Sequence, residues 1–393
     1  MILGRGVCIS TLATLFVATV MLFGCSAGQK NSVEHRFYSS VFTLDDSTCV
    51  TVLTEKVDGG LVVKNGDESI FVKSQGEGCY SVPVFGGSWV GKWSGGAWIG
   101  CWIDSLRTKD YRVKLEVNPL KKLVPVRGGE INSVWDTSLG KFKLRQKGDS
   151  AWATFMTPTG DYRYLAGEID TITSEFKIQN FDGAHLFYFE GVIRGDSITD
   201  GVFKSGIHYS TSWSGVRVEN EKVKWSSRQE WGRGEKIRFE GINSGGEVEV
   251  WSRERLKKSG YKLLVVDVMG TWCPNCLDEA RLLQELSLDY PEMLVVSMSF
   301  ERFKGAEALR RIAGFKESVG ISWEILHGGA ASKSEADSCL AFFGGVRSFP
   351  TTAFIPLEGD PIVHSGFSGP ATGEVYEEEV GFFRETIEDF LND

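Results

Sequence analysis

GTWCPNCLDEA, residues 270–280, separates two cysteines by two residues, directly after the apolar run LLVVDVM (263–269) and directly before the helical pattern LDEARLLQELSL (277–288). Three readings compete: half of a zinc site, two core residues, or a redox pair. Structural zinc needs four Cys or His ligands, usually as two close pairs. The chain has one such pair and five histidines, none at ligand spacing. Trp272 and Pro274 flank the cysteines at a strand-to-helix junction, a context that accidental core cysteines do not require. A redox pair is the expectation.

The spacing has a physical reason. Cys273 falls at the start of a helix and Cys276 one turn inside it, so free N–H groups and the helix dipole favour the Cys273 thiolate. Bringing a thiol from about 8.5 to about 7 takes roughly 2 kcal/mol, and a helix terminus supplies roughly 0.3–2 kcal/mol. Cys273 is therefore the expected nucleophile, and Cys276 the thiol that resolves the mixed disulfide. Two acids offer to take the Cys276 proton. Asp267 interrupts a buried apolar run, where a carboxylate is costly without a role or a partner. Glu279 lies one turn beyond Cys276 on the same helix.

Outward from the motif, MLVVSMSF (293–300), WEIL (323–326), TTAFIPL (351–357) and PIVHSGF (361–367) read as strands, with helical segments between the first three and at the C-terminus. Strands separated by helices imply βαβ units. Residues 32–126 and 127–218 instead read as short strands with turn signals such as Asp58-Gly59-Gly60 and Asn65-Gly66-Asp67, a pattern shared by sandwiches, meanders and barrels. The charged, Gly-rich ENEKVKWSSRQEWGRGEK (219–236) reads as a connector. Trp89, Trp93, Trp98 and Trp102 are expected to pack a core rather than form a ligand platform.

With 393 residues the chain exceeds one ordinary core. Its net charge of −9 and the absence of a basic aromatic stripe exclude nucleic acid as an expected partner. No Gly-rich dinucleotide loop opens a helix, so no bound cofactor and no metal are expected. Residues 1–24 have the layout of an export signal, with Arg5 before an apolar run. LFGC (22–25) resembles a lipobox, which implies a lipid on Cys25; the competing reading is an uncleaved membrane anchor. Either places the chain outside the cytoplasm, on the periplasmic side of a membrane. Cys49, Cys79, Cys101 and Cys339 show no tight spacing; four cysteines permit three pairings that the sequence does not rank, buried free thiols are the plainer alternative, and Cys339 is expected to be one.

VVDVMGTWCPNCLDE (265–279) resembles the active-site segment of the TlpA-type, or ResA-type, branch of the thioredoxin family. Glu279 matches that branch's acid three residues after the second cysteine, and Asp267 matches the buried acid of thioredoxins proper, where many TlpA-type relatives carry an amide. RSFPTTAFI (347–355) resembles the family's cis-proline loop, which makes Pro350 the cis-proline and Phe349 and Thr351 the backbone partners of an extended substrate beside Cys273. SMSFER (297–302), GFSGPATGEVYEEEV (366–380), TPTGDYRYLAGEI (157–169) and FDGAHLFYFEGVI (181–193) are similar to a lipoprotein subgroup with a long β-rich N-terminal region.

The resemblance implies an α/β thioredoxin-like fold over 236–393 behind a mainly β region. The implied activity is a membrane-tethered thiol-disulfide reductase of protein disulfides, with Trp272 and Pro274 also lining the substrate site. Its electrons would come from a membrane partner. An oxidase or isomerase of the same fold, and a redox-passive tethered binding protein, are the alternatives.

Overall fold

The computed structural model describes residues 36–107, 110–120, 130–219, 228–229 and 236–392. The export signal and Cys25 lie outside these residues, as does most of the 219–235 connector. Among the described residues no helix is long and apolar enough to cross a membrane.

Alternate burial drives the first barrel. In β1 (Phe37–Thr43) Tyr38, Ser40 and Phe42 point inward, and the period of two continues through β2 (Cys49–Val57), β3 (Gly60–Asn65), β4 (Glu68–Gly76), β5 (Cys79–Ser81), β6 (Ser88–Ser94), β7 (Ala97–Ile103) and β8 (Arg112–Pro119). Each strand pairs antiparallel with the next, and β8 returns to β1 with Tyr38 opposite Pro119. Closure removes both edges. Phe42, Trp89, Trp98 and Trp102 fill the interior, as the aromatic content implied.

A second ring of eight follows. It runs through β9 (Glu130–Thr137), β10 (Gly140–Lys147), β11 (Ser150–Thr157), β13 (Leu165–Ile169), β14 (Glu175–Phe181), β15 (Leu186–Arg194), β16 (Ser197–Ser205) and β17 (Tyr209–Val218), and closes by β17 on β9. The two-residue β12 (Gly160–Asp161) folds back on β11 as a flap. Phe155 stacks on Phe142 at 4.6 Å and on Phe189 at 4.5 Å inside it. Phe181, at the end of β14, stacks on Phe42 of the first barrel at 5.0 Å. Asn65 donates to the Phe181 carbonyl at 2.9 Å, which ties the two rings together.

The remaining sheet runs in the order β18 (Arg228–Gln229), β25 (Ile362–Ser365), β24 (Thr351–Pro356), β21 (Leu263–Met269), β22 (Met293–Glu301), β23 (Glu324–Ala330), β19 (Arg238–Ile242), β20 (Val248–Ser252). β21, β22 and β23 are parallel, and β24 is antiparallel to β21. The hairpin β19–β20 was not foreseen, nor was the pairing of β18 with β25 inside the expected connector. Helices α1 (Arg253–Ser259), α2 (Pro274–Asp289), α3 (Ala306–Val319), α4 (Lys333–Cys339) and α5 (Glu374–Asn392) accompany these strands. β21 is buried at every position because strands lie on both sides and helices cover it. α3 stops at Gly320, which takes a left-handed φ of 79° and donates its N–H to the Lys316 carbonyl at 3.0 Å. From α3, Arg311 donates to the Ser105 carbonyl of the first barrel at 2.8 Å. One apolar cluster runs from Trp102 through Phe181 to Phe315.

Among the described residues the cysteines outside the pair are free thiols, and the expectation that Cys339 is buried is corrected. Cys49 is exposed, while Cys79, Cys101 and Cys339 are half-buried. Cys49, Cys79 and Cys101 stand at outward positions of the barrel wall, whose interior is taken by aromatic rings.

Candidate active site

The end of β21 delivers the chain into Gly270-Thr271-Trp272, and α2 starts at Pro274, whose fixed φ and missing N–H suit a first helical position. Cys273 is the N-cap. Its Sγ accepts from the Cys276 N–H at 3.3 Å, and its thiol donates to the Phe349 carbonyl at 3.5 Å. Cys273 is 6 % exposed and Cys276 fully buried. Burial, then the hydrogen bond and charge of Cys273, push the Cys276 thiol well above its usual range.

Around the cysteines, Trp272 donates to the Phe300 carbonyl at 2.8 Å, and the Arg302 guanidinium lies 4.6 Å from its ring centroid. Phe349 meets the same ring edge-on at 5.4 Å. The Phe349–Pro350 bond is cis. Glu301, which sequence reasoning did not single out, accepts from the Thr271 N–H at 3.0 Å and from the Thr271 hydroxyl at 2.8 Å, fixing the loop before Cys273.

Three of the expected substrate positions, Pro274, Pro350 and Thr351, are buried in this structure. Thr351 is fully buried, between Val268 of β21 and Ser365 of β25, so its backbone is not open to a substrate strand. Pro274 is buried too, and its carbonyl accepts from Arg163 Nη1 of the second barrel at 2.8 Å. Trp272 and Phe349 are the half-buried positions beside Cys273.

Asp267 and Glu279 both lie in the interior at 1 % exposure. Asp267 Oδ2 accepts from Ser297 at 2.8 Å, and Glu279 Oε1 accepts from the Thr352 hydroxyl. Among the described residues the other oxygen of each has no partner. Register explains the proximity, since Asp267 stands between Ser297 on β22 and Thr352 on β24. Burial pushes Asp267 up to about 7. Burial, followed by the Asp267 charge, pushes Glu279 well above the carboxylate range. Burial and each other's charge thus keep protons on these two acids to a higher pH than on exposed carboxylates.

A second buried group was invisible to sequence reasoning. Arg163, between β12 and β13, donates from Nη1 to Asp278 of α2 at 2.6 Å and from Nε to Glu68 of the first barrel at 3.0 Å. Burial works against its charge, but Asp278 and Glu68 outweigh it and hold the guanidinium more firmly protonated than usual. Asp278 follows Cys276 by two residues, and that adjacency was the only available signal.

Comparison with protein-family models gives no match, and comparison with curated proteins gives none. Among solved structures, a thioredoxin-like protein from Aeropyrum pernix is 18% identical, covering 38% of this chain and 88% of its own, with a TM-score of 0.29. The thioredoxin domain of a thiol-disulfide oxidoreductase from Bacteroides vulgatus is 18% identical over 39% of this chain and 99% of its own, at 0.27. A thiol:disulfide interchange protein from Chlorobium tepidum is 18% identical over 37% and 94%, at 0.26. At these scores the likeness carries no argument, and the site stands on this chain's own geometry.

Proposed function

We propose that the chain is a thiol-disulfide oxidoreductase whose C-terminal sheet and helices form a thioredoxin-like fold of the TlpA type. One observation carries the reading: a cysteine caps α2 with its sulfur 3.3 Å from the N–H of a second, buried cysteine, beside the Phe349 carbonyl and above a buried acid pair. The Cys273 thiolate attacks a substrate disulfide, forming a mixed disulfide and releasing one substrate thiol. Cys276 then gives its proton to the Asp267/Glu279 pair and attacks the Cys273 sulfur. The second substrate thiol leaves, so two electrons pass to the substrate and the enzyme ends as the Cys273–Cys276 disulfide.

Trp272 and Phe349 receive the substrate segment. The reading assigns the protein to the reductive direction, with protein disulfides as substrates, a membrane electron donor to restore the dithiol, and a lipid at Cys25 holding it on the extracytoplasmic side. The lipobox-like LFGC and the TlpA-type resemblance support those details.

Cys273→Ser is expected to abolish disulfide exchange, and Cys276→Ser to accumulate mixed disulfides that electrophoresis without reductant resolves. An active Cys273→Ser protein would sink the proposal. Equilibration of the full chain with thiol buffers gives the direction. A potential near or below about −250 mV marks a reductase, and one near about −120 mV an oxidant.

A further inference from the structure

Both residues between the cysteines are held by one short segment of the second barrel. Arg163 Nη1 donates to the Pro274 carbonyl at 2.8 Å, and Asn275 Nδ2 donates to the Asp161 carbonyl at 3.3 Å. That segment is itself fixed from three directions. The Asp161 carboxylate accepts from the Arg163 N–H at 2.7 Å and from the Gly369 N–H, ahead of α5, at 2.6 Å. Glu68 of the first barrel holds Arg163 from beyond, and Asn65 donates to Glu68 at 3.2 Å. Arg163 adopts a positive φ of 56°, an uncommon conformation for a side chain of that size. Before it, Gly160 comes so close to Asn275 that a Cβ there would lie 1.9 Å from Nδ2.

A guanidinium fork fixes orientation as well as position. The Pro274 and Asn275 peptides lead into the Cys276 N–H, which donates to Cys273 Sγ. Their orientation therefore sets how well the reduced pair is held, since both cysteines here are free thiols. Both contacts are made here with the pair in its dithiol form.

Resting on the thiol-disulfide reading above, we propose that Arg163 and Asn275 are positioning residues of the redox centre, through which the second barrel favours the dithiol over the disulfide form of Cys273 and Cys276. The barrels are thereby part of the active site rather than a separate appendage.

The test equilibrates the full-length chain with glutathione disulfide, in which the dithiol and one glutathione disulfide give the Cys273–Cys276 disulfide and two glutathiones. Arg163→Lys keeps the charge and loses the fork. Asn275→Ala removes the shallower contact and leaves the buried cluster whole, which covers the case in which the Arg163 variant does not fold. Each is expected to shift the equilibrium towards the disulfide, Arg163→Lys by about tenfold, equivalent to about 30 mV for a two-electron couple, and Asn275→Ala by less. A purely architectural role would change unfolding without changing this equilibrium. Folded variants that match the wild-type constant, or shift towards the dithiol, overturn the inference. A wild-type chain that never exchanges with glutathione removes the functional reading itself, so the two failures are distinguishable.

Discussion

Asp278 and Glu279 are neighbours on α2, yet their side chains leave the helix about 100° apart and enter two unlike buried groups. Asp278 joins Glu68 on the Arg163 guanidinium, with Arg281 on its other oxygen at 3.3 Å, while Asp161 accepts from the Arg163 backbone N–H. Glu279 joins Asp267, and among the described residues neither makes an ion pair; each keeps a single hydroxyl donor and one oxygen without a partner. A buried acid with a cation holds elements together, because separating the two leaves a bare charge in the interior. A buried acid without one keeps a proton that a reaction can use. On that contrast the first group is the fastening between barrels and sheet, and the second is the group that the proposed function uses as its proton store.

The harshest way to test the contrast is to take the cation away. Arg163→Met strands Glu68 in the interior and leaves Asp278 with Arg281 alone, and an unfolding free energy lower by about 3–5 kcal/mol is expected from urea denaturation at pH 7. A loss below about 1 kcal/mol would mean that the acids had relaxed into protonated forms at little cost, and the two groups would no longer differ in kind. The counterpart is Asp267→Asn combined with Glu279→Gln. These changes remove no ion pair and replace two acids whose burial costs stability as pH rises, so stability is kept or gained, but resolution of the mixed disulfide slows by about 10²-fold. Stopped-flow release of a chromogenic thiol measures it.

The pH dependence follows with its sign. Burial raises Asp267 to about 7 in the folded chain, against about 3.9 unfolded. A carboxyl raised in this way costs nothing below pH 4, where both states hold the proton. As pH climbs towards 7 the unfolded chain releases it and the folded chain does not, so stability falls across that window. Thermal unfolding of Asp267→Asn should therefore exceed wild type by more at pH 8 than at pH 5. An equal difference at both values would show that Asp267 is ionised in the folded chain, and that a cation does reach it.

The uncompensated group was legible from sequence because each member sits in a local pattern. Asp267 breaks the apolar run LLVVDVM, Cys273 and Cys276 stand at a strand-to-helix junction, and Glu279 shares the helix. The compensated group had no such signal. Arg163 lies 111 residues from Pro274 and 95 from Glu68, and neither periodicity nor spacing carries contacts of that separation. Barrel closure was hidden for the same reason, since the alternation of β1 would serve a sandwich equally, and only the pairing of β8 with β1 distinguishes them. Thr351 shows the converse error. A loop resemblance made it a substrate contact, whereas the strands on both sides of β24 enclose it.

The finest probe of the contrast lies at the two hydroxyls. If the store is tuned by its donors, Thr352→Val should act through Glu279 and Ser297→Ala through Asp267, because each hydroxyl lowers the acid it touches. Losing one neutral hydrogen bond is worth about 1 kcal/mol, well short of a lost cation. The acid limb of the pH profile for mixed-disulfide resolution, where the pair must lose a proton to accept that of Cys276, should therefore move upward by less than about one unit in either variant. Ser297 also accepts from Trp323 at 2.8 Å, so Ser297→Ala orphans an indole N–H as well and should lose more stability than Thr352→Val. A pH profile that moves with Ser297 alone would assign the working proton to Asp267, and one that moves with Thr352 alone to Glu279.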